Sequence, residues 1–434
     1  MNGGPERTIT PAQGVALYVG AVVGAGVLLL PGTAASLAGP ASVLAWVFVS
    51  LLGVPLALTF ATLASRCPDA GGVATFTSRA FGASWGAAVG WFYFFASSTA
   101  LSLGPLIGAY YAAVPLGLGR GGTFLLGAAM LAFAVASNSG GLRVSARVQL
   151  VLSGCVALLL LGAALVSVPR MSVDNWTPFA PEGWSAVGRV AVLLVFAVFG
   201  WEAIAQLSAE FENPERDVPR STFLSVGVIT ILYVGVSAAV VGTANYGSAS
   251  VNRVAVASLL GSAMGPGVGA AASLVASVIT LATVNAYVAA TSRLGYALAR
   301  DGAFPAWLAT LGTRGVPVRA VLAVGSYAAC GMLLSYAAGW GPEALLVVPT
   351  SLGLATYIIG TAAGVKLLTG GSRLLAGIAL LMCLAVLPFA GAFIGLPIAV
   401  AAAASSYRRL HARSVMVKRE GSGDTIDNHE RNET

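Results

Sequence analysis

An all-α protein that crosses a membrane about twelve times is the fold class this sequence predicts. Composition is the first reason. Of 434 residues, 57% are hydrophobic and only 9% charged, where a soluble chain carries roughly 25% charged residues, and the mean hydropathy is +0.86. The second reason is the length of the apolar runs. No charged residue occurs from Thr8 to Ser65, which is room for two spans of about 20 residues, each crossing roughly 30 Å of hydrocarbon. A third observation refines the class. The stretch "VVGAGVLLLPG" (22–32) sets two glycines within three residues and then Pro31, weakening a helix where lipid demands an unbroken one.

In chain order, the hydrophobic runs place spans at 12–38, 41–64, 84–113, 122–138, 146–168, 187–209, 222–243, 267–292, 317–338, 344–366, 373–390 and 392–407. The first two turn over at "LAGPAS", around Pro40. The first apolar stretch is too long for a signal-peptide core and lacks a small-x-small cleavage site, so it is expected to be retained. After the last span comes a tail, 408–434, whose basic start "YRRLHARSVMVKRE" suits anionic headgroups and whose remainder has the composition of a disordered segment.

The net charge of +7 is informative through its distribution. With both ends on one side of the bilayer, loops on that side hold 19 of the 23 Lys and Arg, and the opposite loops hold Arg120, Arg170, Arg189 and Arg253. The positive-inside rule then puts both termini in the cytoplasm of a multi-pass plasma (inner) membrane protein, and the same distribution argues against a nucleic-acid partner. Cys155, Cys330 and Cys383 fall in spans and Cys67 in a loop, a pattern of packing residues, neither a disulfide framework nor a metal site.

Of the sixteen Asp and Glu, fifteen belong to loops, span edges or the tail, and Glu202 alone lies well inside a span, directly after Phe199-Gly200-Trp201. Both histidines, His411 and His429, are in the tail, so acid-linked proton chemistry in the bilayer falls to Glu202. The spans lack a nucleophile with its base and lack metal-ligand clusters, which argues against an enzyme and against a metal cofactor and leaves a membrane enzyme a distant third reading. A lone buried carboxylate beside a helix break suits a secondary transporter. Discontinuous helices expose backbone groups near the midplane, and their opposed ends attract the carboxylate and the ammonium of an amino acid. The first and sixth spans are the two that look broken, five spans apart, the mark of a five-plus-five inverted repeat.

Four stretches together resemble the amino acid–polyamine–organocation superfamily of transporters. They are "GAVVGAGVLLLPG", "FAVFGWEAIAQLSAEFENPERDVPR", "VNAYVAATSRLGYALARDGAFPAWL" and "NWTPFAPEGW". "CPDAGGVATFTSRAFG" and "VKLLTGGSRLLAG" are similar to its amino acid efflux branch, that of bacterial methionine and branched-chain amino acid exporters. The resemblance implies a LeuT-like fold. Its cytoplasmic N-terminus would be 1–11 and its ten-helix core 12–366, divided into repeats 12–168 and 187–366. Two peripheral spans, 373–407, and a cytoplasmic tail, 408–434, would follow. It implies an L-amino acid bound at Val22, Val23, Gly24, Ala25 and Gly26 of the first helix and at Phe196, Phe199, Gly200 and Glu202 of the sixth, with Ala96 and Ser97 near the side-chain pocket. Phe196 takes the aromatic gate position. Val156 stands about where some proton-coupled relatives carry a lysine, which argues against lysine-based coupling.

Plainer readings stand beside these. Gly20-x-x-x-Gly24 is also a helix-packing pattern, and Glu202 suits either proton coupling and gating or, as a neutral acid, a hydrogen bond to loosened backbone. Of the aromatic run Trp91 to Phe95, one or two residues are expected to reach a central site. Thr280, Thr283 and Asn285 either line the pathway or bond to helix carbonyls. The expected activity is alternating-access transport of neutral L-amino acids, favouring methionine, leucine, isoleucine and valine, with proton-linked efflux. Uptake or exchange by the same fold is the alternative, and a non-transporting receptor is a rival of another class. A monomer or a homodimer fits equally.

Overall fold

The computed structural model describes residues 9–410 except 25, 67–71, 142–145, 202–210 and 313–314, and gives the backbone alone at 146, 147, 149, 150 and 214. The described chain is helical, its one β-like contact being an isolated bridge between Ile9 and Phe211. Among the described residues, nine helical stretches are long and apolar enough to cross a membrane, and three shorter apolar helices accompany them. Two of the nine, Gly26–Arg66 and Gly370–Leu410, are 41 residues long and each fold back on themselves. Two of the shorter helices, Pro11–Val22 and Trp184–Val198, lead into the two breaks.

The first crossing is made of two pieces, α1 (Pro11–Val22) and α2 (Gly26–Ala38). Thr10 starts α1 with a capping box: its hydroxyl accepts from the Gln13 N–H while the Gln13 carboxamide accepts from the Thr10 N–H at 3.0 Å, with Pro11 in the first turn where a missing N–H costs nothing. Pro31 sits inside α2 and does not end it. The chain reverses through Gly39–Ala41, where Gly39 has φ +60° and a Cβ would strike Pro181, and descends as α3 (Ser42–Arg66). A short amphipathic helix, α4 (Val73–Phe81), precedes α5 (Ala83–Leu116). At 34 residues α5 is roughly 50 Å long, well beyond the hydrocarbon thickness, so it must tilt or project. Then come α6 (Arg120–Ser139), α7 (Ala146–Ser167) and α8 (Trp184–Leu194), which tightens into a 3-10 turn over Val195–Val198.

The second half continues with α9 (Pro214–Gly242), α10 (Ala255–Met264), α11 (Pro266–Arg300), α12 (Val318–Ala337) and α13 (Val347–Leu367). It closes with α14 (Gly370–Val386) and α15 (395–410), joined through a kink at Gly391. Helix α10 and a one-turn helix at Ala249–Asn252 lie in what the hydropathy reading treats as loop.

Two packing features position the site. Helices α5 and α11 approach closely because Gly104 and Gly108 lack side chains: a Cβ would come within 3.0 Å of Val284 and 3.1 Å of Thr280. Helix α15 is no detached rim, for Leu396, Val400 and Ala401 pack on Phe92, Ala96 and Leu352 of α5 and α13. Several buried hydroxyls in the spans are returned to their own helix, as Thr59 to the Pro55 carbonyl (2.6 Å) and Thr280 to that of Ala276 (2.7 Å). An interhelical exception joins α6 to α11. The Asn138 carboxamide donates to Asn285 Oδ1 (2.9 Å) and to the Asn285 carbonyl (3.1 Å), and Ser137 donates to the same Oδ1.

Candidate functional site

The two helix breaks meet. Helix α1 stops at Val22, Val23 turns to ψ +70°, and α2 starts at Gly26. On the other strand of the crossing, Phe199 is extended (ψ 127°) and Gly200 has φ +127°. Only glycine is at ease at that φ, and a Cβ there would lie 2.5 Å from the Ala21 carbonyl oxygen and 3.1 Å from Val22 Cα. Gly200 therefore lets the second break press backbone to backbone against the end of α1.

A break frees carbonyls that a membrane interior does not leave unpaired. Buried tyrosines supply donors here, Tyr233 and Tyr357 to carbonyls at the two helix ends and Tyr111 to one inside α2. The Tyr233 hydroxyl of α9 lies 2.8 Å from the Ala197 carbonyl and 3.1 Å from that of Val22; Tyr357 of α13 donates to the Val198 carbonyl at 2.7 Å; Tyr111 of α5 donates to the Leu28 carbonyl at 2.8 Å. All three rings are fully buried. These tyrosines escape a sequence reading, because a tyrosine in an apolar span carries no mark of which backbone group it faces.

Beside the breaks lies a cavity that is partly open, with about 690 Å³ of empty space when the open solvent at its mouth is included. Its walls are Val22, Gly24, Gly26 and Val27 of the first crossing, α5 from Ala96 to Ile107, Phe196, Ala197 and Phe199 of the second break, Thr283, Val284 and Tyr287 of α11, and Pro349 of α13. The described lining carries no charged side chain; polarity comes from the backbone at the breaks and the hydroxyls of Ser97, Thr283 and Tyr287. Phe199 lies at one edge, its ring centroid 6.0 Å from Tyr93 and 5.3 Å from Tyr357, in space left by Gly353.

At the other end, one turn beyond Ile107, the Arg253 guanidinium stacks on Tyr110 (4.7 Å to the ring centroid) and makes a bidentate pair with Glu343 at 2.6 and 3.1 Å. Asn252 backbone rests on Gly32 of α2. Three elements around that end of the cavity are thereby tied together on the face opposite the start of α1.

The structure brings seven of the sequence-selected residues to the cavity wall: Val22, Gly24, Gly26, Ala96, Ser97, Phe196 and Phe199. Val23 is buried behind the wall and Gly200 serves the helix contact. Ala25 and Glu202 lie outside the described residues. None of Trp91 to Phe95 lines the cavity, fewer than the one or two expected: Trp91 stacks on Phe304 (4.8 Å) and donates from Nε1 to the Ala303 carbonyl, and Phe92 packs against α15. Thr283 both bonds back to Ile279 and lines the cavity, whereas Asn285 turns away to Asn138. No cluster of three or more His, Cys, Asp or Glu suited to a metal occurs among the described residues.

The profile of the amino acid permease family matches residues 10–369, which spans both breaks and the whole cavity. The chain belongs to the amino acid permease family. This permease is 35% identical over 84% of its length to the uncharacterized amino acid permease YecA of Bacillus subtilis, covering 86% of that protein. It is 29% identical to the L-methionine/branched-chain amino acid exporter YjeH of Escherichia coli, over 89% of this chain and 93% of that one. In fold the permease is similar to the crystal structure of MhsT in complex with L-phenylalanine, with a TM-score of 0.61 over 89% of this chain and 100% of the other, at 15% identity. It is an amino acid transporter of the LeuT-like fold within the amino acid–polyamine–organocation superfamily.

Proposed function

We propose that this permease carries neutral, apolar L-amino acids, methionine, leucine, isoleucine and valine foremost, across the plasma membrane by alternating access, and that it works as a proton-linked exporter. The observation that carries the substrate class is that the described lining of the cavity at the breaks holds no charged side chain. Among those walls a cationic or acidic side chain would lose its hydration without a partner, whereas Val27, Leu101, Ile107 and Val284 suit an aliphatic or thioether chain. The zwitterionic head belongs at the break, where Gly24 and Gly26 leave backbone open and where half-helix ends carry opposite partial charges. The relationship to YjeH supports efflux and the methionine and branched-chain preference. The charge distribution over the loops supports cytoplasmic termini. Repeats 12–168 and 187–366 would move against each other about the breaks.

Glu202 is the proposed coupling group. The purified permease in proteoliposomes, given a panel of labelled amino acids under imposed pH or sodium gradients, should move methionine and leucine, and a pH gradient should drive them. Glu202→Gln should remove the pH dependence and leave the protein folded. Cells expressing the permease should resist growth inhibition by toxic peptides of these amino acids. Flux driven by sodium alone would overturn the proton linkage, and faster uptake of labelled leucine with no relief of inhibition would overturn the export reading.

A further inference from the structure

The Tyr233 hydroxyl faces two acceptors with one proton. The Ala197 carbonyl lies 2.8 Å away and the Val22 carbonyl 3.1 Å away, and these belong to the two different broken helices. Val22 already accepts from the Gly24 N–H at 2.9 Å, so the Ala197 carbonyl has the stronger claim on the phenol in this conformation. The ring is held independently of both helices. It is fully buried on α9 and meets Trp46 of α3 edge-on, with centroids 5.0 Å apart. Val22 and Ala197 both line the cavity. A carbonyl satisfied merely for burial would need one donor of its own; here a single donor from the scaffold spans the joint on which both halves of the site depend.

We propose that Tyr233 is a positioning residue: its one hydroxyl proton, shared between the Val22 and Ala197 carbonyls, couples the two broken helices and sets the spacing of the break that a bound amino acid meets. When either half-helix moves away, the proton passes wholly to the other carbonyl. One helix can then swing without leaving the phenol unpaired, at the loss of only one part of a three-centre bond. The inference rests on the cavity being the transport site. It goes beyond that reading in naming the residue that holds the two breaks in register.

The test uses the full chain in proteoliposomes with leucine as the probe. Tyr233→Phe should raise KM by about 5- to 30-fold, the factor that one or two kcal/mol corresponds to, with a smaller change in maximal rate. Tyr233→p-aminophenylalanine carries two N–H donors, one for each carbonyl. It should keep KM near the native value and slow turnover, because both half-helices are then held at once. A native KM in the Phe variant with only a lower melting temperature would overturn the proposal, since that is all a packing role predicts. Should the Phe variant fail to accumulate, native turnover in the p-aminophenylalanine variant overturns it instead. A reading independent of transport comes from a chain whose four native cysteines are replaced and Ile107 is made cysteine. Without amino acid, Tyr233→Phe should change its rate of thiol labelling by about 5- to 30-fold, and an unchanged rate counts against the clamp even if leucine is not the substrate.

Discussion

Adding one methyl group at each of three glycines should have three separable effects. At Gly24, between α1 and α2, a Cβ meets nothing within 4 Å, so Gly24→Ala is expected to fold normally with little change in stability. At Gly26 a Cβ would fall 2.7 and 2.9 Å from the Phe196 ring, a side chain that can turn. Gly26→Ala should displace it at an overpacking cost of about 1–3 kcal/mol and raise KM through loss of the cavity wall. At Gly200 the neighbour is backbone, the Ala21 oxygen at 2.5 Å, and φ is +127°. Relief to an ordinary carbon–oxygen contact of about 3.3 Å separates the breaks by about 0.8 Å, and the dihedral strain adds about 1–3 kcal/mol. That energy corresponds to about a 5- to 150-fold loss of affinity. Leucine flux in proteoliposomes, with melting temperature measured on the same preparations, gives the order Gly24, Gly26, Gly200 from least to most damaged. Native transport by Gly200→Ala, or a loss at Gly24→Ala as deep as at Gly200→Ala, would refute the account of the break.

Two further outcomes follow from the packing. Arg253→Gln or Glu343→Gln should open the end of the cavity beyond Ile107, because the part-buried pair that ties Tyr110, Asn252 and Glu343 together is worth about 1 kcal/mol. Thiol labelling of a cysteine at Ile107 from that face should accelerate about fivefold, and the charge-swapped pair should slow it again. Asn138→Ala should cost about 0.6–2 kcal/mol, read as a lower melting temperature, and Asn285→Ala added to it should cost little more, since each variant removes the same α6–α11 network.

The crossings were legible because lipid imposes one demand on every spanning segment, and the charge-free run from Thr8 to Ser65 states it plainly. The breaks were legible for the same reason inverted: Gly24, Gly26 and Gly200 sit where they weaken a helix inside an apolar run. Helix α10 was not, since ten residues of mixed apolar character are too short to read as a span and resemble a loop. On α5, hydropathy cannot say which face of Trp91 to Phe95 turns inward. The structure turns Ala96, Ala100 and Gly104 to the cavity, Trp91, Phe94 and Phe95 to Phe304, Phe92 to α15, and Tyr93 to Phe199. Tyr287 and Pro349 reach the wall from distant parts of the chain, and nothing local to them announces it.

The three tyrosine hydroxyls at the breaks also bear on how tightly an amino acid can bind. Val22, Ala197, Val198 and Leu28 have donors within the chain itself. An arriving substrate therefore does not have to unwind a helix, and the free energy of its contacts is not consumed in melting backbone. Such a preformed site can bind small apolar molecules with few polar contacts and still release them, which a carrier requires at both faces of the membrane.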